Sequence, residues 1–100
     1  MAVTGNWLWT ENTPGSGLTA LFHVSLNQTL GTVAGTKILP GGTTCAITGT
    51  LTGRQLQASA AGPCDQTFNL AVSADDNSLE GTGTDSGGIS LTVLANRDKT

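Results

Sequence analysis

The residues able to do chemistry are few and widely spaced. His23 is the only histidine. Alternation puts it on the polar side of its segment, with no Ser, Cys or paired carboxylate spaced for a nucleophilic triad, so it reads as a surface residue. Asp75-Asp76-Asn77-Ser78 offers oxygen ligands for calcium, but the further carboxylates that close such a site are missing, and Asx residues favour turns in their own right. Glu11, Asp65, Glu80 and Asp85 are scattered, and no two of them are expected inside the fold as the acid–base dyad of glycoside hydrolysis. Cys45 and Cys64 lack both C-x-x-C spacing and histidine partners for zinc, which leaves a disulfide or two small buried thiols. Lys37 stands apart. Continuing the alternation of Val33 and Gly35 turns it inward, where an ammonium can anchor an anionic ligand. A bulge that turns Ile38 in and Lys37 out stands beside that reading. No metal site and no cofactor are expected.

The elements that must position these groups are strands. Apolar residues alternate with Thr, Ser, Asn and Gln through eight runs, among them Leu18-Ala20-Phe22-Val24-Leu26, Cys45-Ile47-Gly49-Leu51 and Phe68-Leu70-Val72-Ala74. Turn signals separate the runs: Asn12-Thr13-Pro14-Gly15-Ser16-Gly17, Pro40-Gly41-Gly42, Gly53-Arg54, Gly62-Pro63, Asp75-Asp76-Asn77 and Ser86-Gly87-Gly88. Short connections force sequential antiparallel pairing, since a parallel crossover needs a dozen or more residues. One all-β domain spanning residues 1–100 is therefore expected, an up-and-down meander that closes into a barrel or splits into a sandwich. Closure is favoured, because few charges protect open edges.

Charge narrows the partners. With four Lys+Arg and a net charge of −3, the chain lacks the clustered basic patch that nucleic acid requires. No run approaches the roughly 18 apolar residues of a membrane-spanning helix. No charged-then-apolar leader opens the chain, so the expected form is a mature protein carrying an added start methionine.

Gly5-Asn6-Trp7 on the first strand and Arg97 at the end of the last resemble the signature of the calycins, the superfamily of lipocalins, fatty-acid-binding proteins and avidins. The resemblance implies an eight-stranded antiparallel barrel in which Trp7 plugs one end and Arg97 covers it. Avidins are the most similar in size, and Asn12-Thr13-Pro14-Gly15-Ser16 is similar to their first turn, where Asn and Ser hydrogen-bond the ligand head. The chain departs from avidins in having no Tyr, no Trp after Trp9 and no acidic residue beside the ring position on the last strand. Biotin is therefore not implied.

Within such a barrel the inward set is apolar, including Trp9, Leu18, Ala20, Phe22, Phe68 and Leu70, while Gly35, Gly49, Gly81 and Gly83 add no volume. The glycines mean a cavity or a flattened barrel whose walls meet. The leading functional reading is non-catalytic binding of a small apolar or weakly polar molecule at the open end. Trp9, Leu18, Phe22, Phe68 and Leu70 would form the wall, with Asn12, Ser16 and Lys37 as polar contacts. The alternatives are a filled structural or interaction barrel and a small barrel enzyme of cyclase type.

Location favours the disulfide. With Gly53-Arg54 as a hairpin turn, Cys45 faces about residue 62, and Cys64 follows at the rim. A bridge there is worth about 3 kcal/mol and places the chain in a secreted or periplasmic setting. Finally, Leu8, Leu21 and Leu94 interrupt the polar outer pattern on strands that adjoin only in a closed barrel. Burying that stripe against a second copy is worth roughly 4–6 kcal/mol before association costs, so a two-fold homo-dimer is expected.

Overall fold

The computed structural model describes residues 3–15 and 17–98; Ser16 lies outside them, as does the side chain of Leu18. The strands are β1 (Gly5–Thr13), β2 (Leu18–Thr29), β3 (Thr32–Ile38), β4 (Thr44–Thr52), β5 (Gln55–Ala60), β6 (Gln66–Val72), β7 (Ser78–Asp85) and β8 (Ser90–Arg97). Each pairs antiparallel with its neighbour in sequence, and β1 also pairs with β8, so the meander closes as a barrel. The period-two pattern dictates which face is buried. In β5, Leu56, Ala58 and Ala60 are buried between exposed Gln55, Gln57 and Ser59. In β6, Phe68, Leu70 and Val72 do the same between exposed Thr67, Asn69 and Ala71.

The inward glycines answer the cavity question locally. A Cβ on Gly35 or Gly81 would lie 2.0 Å from a carbonyl oxygen of the neighbouring strand, Ser25 and Asn69 respectively. At Gly49 the clash is with Gln57 O, at 2.5 Å. These are points of close backbone approach rather than missing side chains. At Gly83 a Cβ would meet Phe68 Cδ1 at 2.5 Å, so the Phe68 ring lies over that glycine and fills its space.

One end of the barrel is shut. Trp7 is fully buried, and its Nε1 donates to Val3 O at 2.9 Å. The Arg97 guanidinium lies over the Trp7 ring, 4.5 Å from its centroid. It donates from Nη1 to Thr4 O (2.7 Å) and from Nε to Asp76 O (2.8 Å). Gly5 makes this possible. Its φ is +139°, and a Cβ there would sit 2.6 Å from Arg97 Nη1. Val3, Leu26, Val33 and Leu79 are buried in the same apolar core as Trp7.

The opposite end carries the β1–β2, β3–β4, β5–β6 and β7–β8 connections. Ala20 pairs with Glu11, so the two side chains share the inward face, but Ala20 is exposed because it sits at the rim. Phe22, next along the same face, is half-buried. Cys45 and Cys64 form a disulfide at this rim, with Cα atoms 6.1 Å apart, tying the start of β4 to the β5–β6 loop.

On the outside, Leu21 and Leu94 are exposed at 58% and 46%, and both lie opposite Thr10 of β1. Leu8 is half-buried, so it lends less apolar area to this stripe than its fully exposed position in the pattern implies.

Candidate functional site

Inward alternation on β1 runs Trp7, Trp9, Glu11, and that of β3 runs Val33, Gly35, Lys37. The two charged residues therefore meet inside the open half of the barrel. Glu11 and Lys37 are the buried charged residues among those described, at 7% and 1% exposure. Lys37 Nζ donates to Glu11 Oε2 as a buried ion pair, and to Gln66 Oε1 at 2.7 Å. Gln66 Nε2 donates to Glu11 Oε1 at 3.1 Å, and Trp9 Nε1 donates to Glu11 Oε2 at 2.9 Å. The network leaves no buried side-chain nitrogen or oxygen without a partner among the described residues.

Aromatic rings enclose the cluster. Lys37 Nζ is 4.1 Å from the centroid of Phe22 and 5.7 Å from that of Phe68. Phe68 meets Trp9 edge-on with centroids 5.1 Å apart. Desolvation is the largest influence on Lys37 and lowers its pKa from the ordinary 10.5, against the opposing hydrogen bond and charge of Glu11. The open half of the barrel thus holds a desolvated amine, a carboxylate and a primary amide in mutual contact, beside the half-buried ring of Phe22.

Of the residues singled out from the sequence, Trp9, Phe22, Lys37 and Phe68 come together here. Lys37 points inward, and it is Ile38 that faces out, 44% exposed. Leu70 is fully buried one step deeper along β6, against Leu56 and Gly81. Asn12 is not in the cluster: it follows inward Glu11, so it lies on the outer face, where its amide donates to Thr19 Oγ1 at 3.1 Å. Ser16 and the side chain of Leu18 fall outside the described residues.

Two members of the cluster escape the sequence reading. Glu11, which the sequence reading set among the scattered acids, is buried, because the Trp7–Trp9 alternation carries on through it. Gln66 precedes Phe68 by one inward step and looks unremarkable as a neutral side chain near a turn. The parity of their own strands is the available signal for both.

Two depressions on the outer surface are of a different kind. A groove of about 570 Å³ across β4, β5 and β6 is edged by the uncharged side chains of Thr48, Thr50, Gln57, Ser59, Thr67 and Asn69. A cleft of about 370 Å³ near the closed end is bordered by Asn6, His23, Ser25, Ile38 and Asp98, with His23 Nδ1 3.7 Å from Asp98 Oδ2. His23 is a surface residue, 66% exposed, as its place in the alternation implied.

No protein-family model matches the chain, and no curated protein matches it either. Solved structures do. A redesigned beta barrel, b11L5F_LGL, is 18% identical over 98% of this chain and 93% of its own, with a TM-score of 0.70. The redesigned barrel mFAP1, bound to DFHBI, is 18% identical over 96% of this chain and 95% of its own, also at 0.70. A third, mFAP0 bound to DFHBI, is 16% identical over 97% of this chain and 100% of its own, at 0.61. At these identities the likeness is one of fold, a closed eight-stranded antiparallel barrel.

Proposed function

We propose that this protein is a non-catalytic binding barrel that takes a small, apolar or weakly polar molecule at its open end. The observation that carries the reading is the buried Glu11–Lys37 pair, bonded to the half-buried Gln66, beside the half-exposed ring of Phe22. Stability alone gives no reason for it, since well-packed apolar residues replace a buried ion pair at no loss or with a gain of about 1–4 kcal/mol. Polar groups placed at the base of an apolar, aromatic-walled opening are instead what small-molecule sites use to orient a ligand. Trp9, Phe22 and Phe68 form the wall, with Leu70 below. Two barrels of the same fold are bound to DFHBI, which supports the capacity of this architecture for a small ligand. The rim disulfide fits a secreted or periplasmic protein.

A second reading, a filled barrel that works through its outer face, draws on Phe68 covering Gly83 and on the exposed pair Leu21 and Leu94. Titration with a panel of neutral and anionic aromatic dyes, DFHBI among them, separates the two. Saturable one-to-one binding that disappears in Ala20→Trp, a rim substitution at an exposed position, is the expected result. Absence of saturable binding, or equal binding by Ala20→Trp, favours the filled barrel.

A further inference from the structure

The contacts of Glu11 have a chemical meaning beyond anchoring. Its Oε2 accepts from the Lys37 amine and its Oε1 accepts from the Gln66 amide nitrogen, so one carboxylate bridges a nucleophile and a leaving group. The amide orientation is the only one the partners allow, because an ammonium has only donors and a carboxylate only acceptors. Lys37 Nζ lies 2.7 Å from Gln66 Oε1, which places the Gln66 carbonyl carbon no more than about 3.9 Å away, one C=O bond further. That is close to the separation of about 3–3.5 Å at which positioned groups react. Phe22, Phe68 and Trp9 pack around the amine and its partners, and burial, which lowers the lysine pKa, favours the neutral amine that attack requires.

We propose that Lys37 and Gln66 join in an intramolecular isopeptide bond, with Glu11 as the proton carrier. The ion pair first passes a proton from Nζ to Glu11 Oε2. The neutral amine then adds to the Gln66 Cδ carbonyl, and Glu11 returns the proton to Nε2, acting first as general base and then as general acid. The Cδ–Nε2 bond breaks as the Nζ–Cδ bond is retained. The remaining excess proton on Nζ leaves with the departing nitrogen, so an ammonium, a glutamine and a carboxylate become a secondary amide, a carboxylate and an ammonium ion. Charge and hydrogens balance, and no oxidant or cofactor enters. Glu11 is a catalytic residue in this step, since it touches both reacting nitrogens. The product ties β3 to β6, strands that are not neighbours in the barrel, through its interior.

The test needs no ligand, so its outcome is independent of the binding reading. The intact mass of the full chain, purified and held at neutral pH, is compared with that of Glu11→Gln, Lys37→Arg and Gln66→Met, each checked for fold by circular dichroism. The wild-type protein should be lighter than its sequence by one ammonia, beyond the two hydrogens lost at the disulfide. After reduction and trypsin digestion, residues 1–54 and 55–97 should remain joined, because Lys37 no longer offers a cleavage site and Gln66 is bonded to it. Folded Glu11→Gln should show no ammonia loss. A wild-type chain of unaltered mass overturns the proposal whatever the variants do. So does a loss mapped to another residue, or a cross-link that forms equally in Glu11→Gln.

Discussion

Replacing Gly5 by Ala tests the closed end of the barrel. A methyl group there would sit 2.6 Å from Arg97 Nη1, and φ at this position is +139°, a conformation that side chains rarely adopt. Two costs follow. The backbone strain is about 1–3 kcal/mol. Displacing the guanidinium forfeits its attraction to the Trp7 ring, about 0.5–1 kcal/mol at a half-exposed site. It also weakens the hydrogen bonds to Thr4 O and Asp76 O, together worth about 1–2 kcal/mol after allowance for solvent. Gly5→Ala should therefore destabilise by about 3–4 kcal/mol, and Arg97→Met alone by about 2 kcal/mol. The double variant should cost little more than Gly5→Ala, because the clash vanishes with the guanidinium. Urea unfolding followed by tryptophan fluorescence measures all four corners of the cycle, with Trp7 reporting directly on the plug. Additive effects within about 0.5 kcal/mol, or a Gly5→Ala variant as stable as the parent, would refute the account of why glycine occupies this position.

Three further outcomes are expected. Replacing Cys45 and Cys64 by Ala and Ser removes a bridge across a sequence separation of 19 and should lower stability by about 3 kcal/mol in thermal or urea unfolding. An unchanged midpoint would show that the rim does not depend on the bridge. Leu21→Asp with Leu94→Asp should convert an oligomer to a folded monomer in light scattering, and a parent protein that is already monomeric at high micromolar concentration sinks the dimer. Asp75 has its pKa lowered from 3.8, first by the Ser73 hydroxyl and then by the Asn77 N–H, so its stabilising effect is present above that value and is lost as pH falls through the lower, folded one. Asp75→Asn should thus be less stable than the parent near neutral pH and indistinguishable from it at the acid extreme; a gap that persists there contradicts the assignment.

The fold was legible because period two has few other meanings. Where apolar residues alternate with threonine between turn signals, only strands bury one face, and short turns leave a meander as the only topology. The site was partly legible by the same rule. Parity on β3 offers an inward Lys37 beside a bulge that would turn it out, and the same parity on β1 runs through Trp9 to Glu11 against the usual preference of an isolated carboxylate for water. Lys37 across the barrel, with the N–H groups of Trp9 and Gln66, makes the burial of Glu11 tolerable, and that juxtaposition between strands distant in sequence is written in no single segment. Gln66 was hidden for a like reason: a neutral amide gains meaning only from its two charged neighbours. The glycines were ambiguous because an absent side chain leaves either space or close backbone approach, and strand coiling decides which.

The central claim is that the open end of the barrel receives a small molecule. An amide chemical-shift map, recorded while the protein is titrated with the tightest-binding dye of the panel, tests it most directly. Saturable shifts should cluster at Ala20, Phe22, Lys37 and Gln66, with Gly5, Trp7 and Arg97 at the closed end unmoved. Shifts confined to the outer strand faces, or none up to millimolar dye, would contradict the claim.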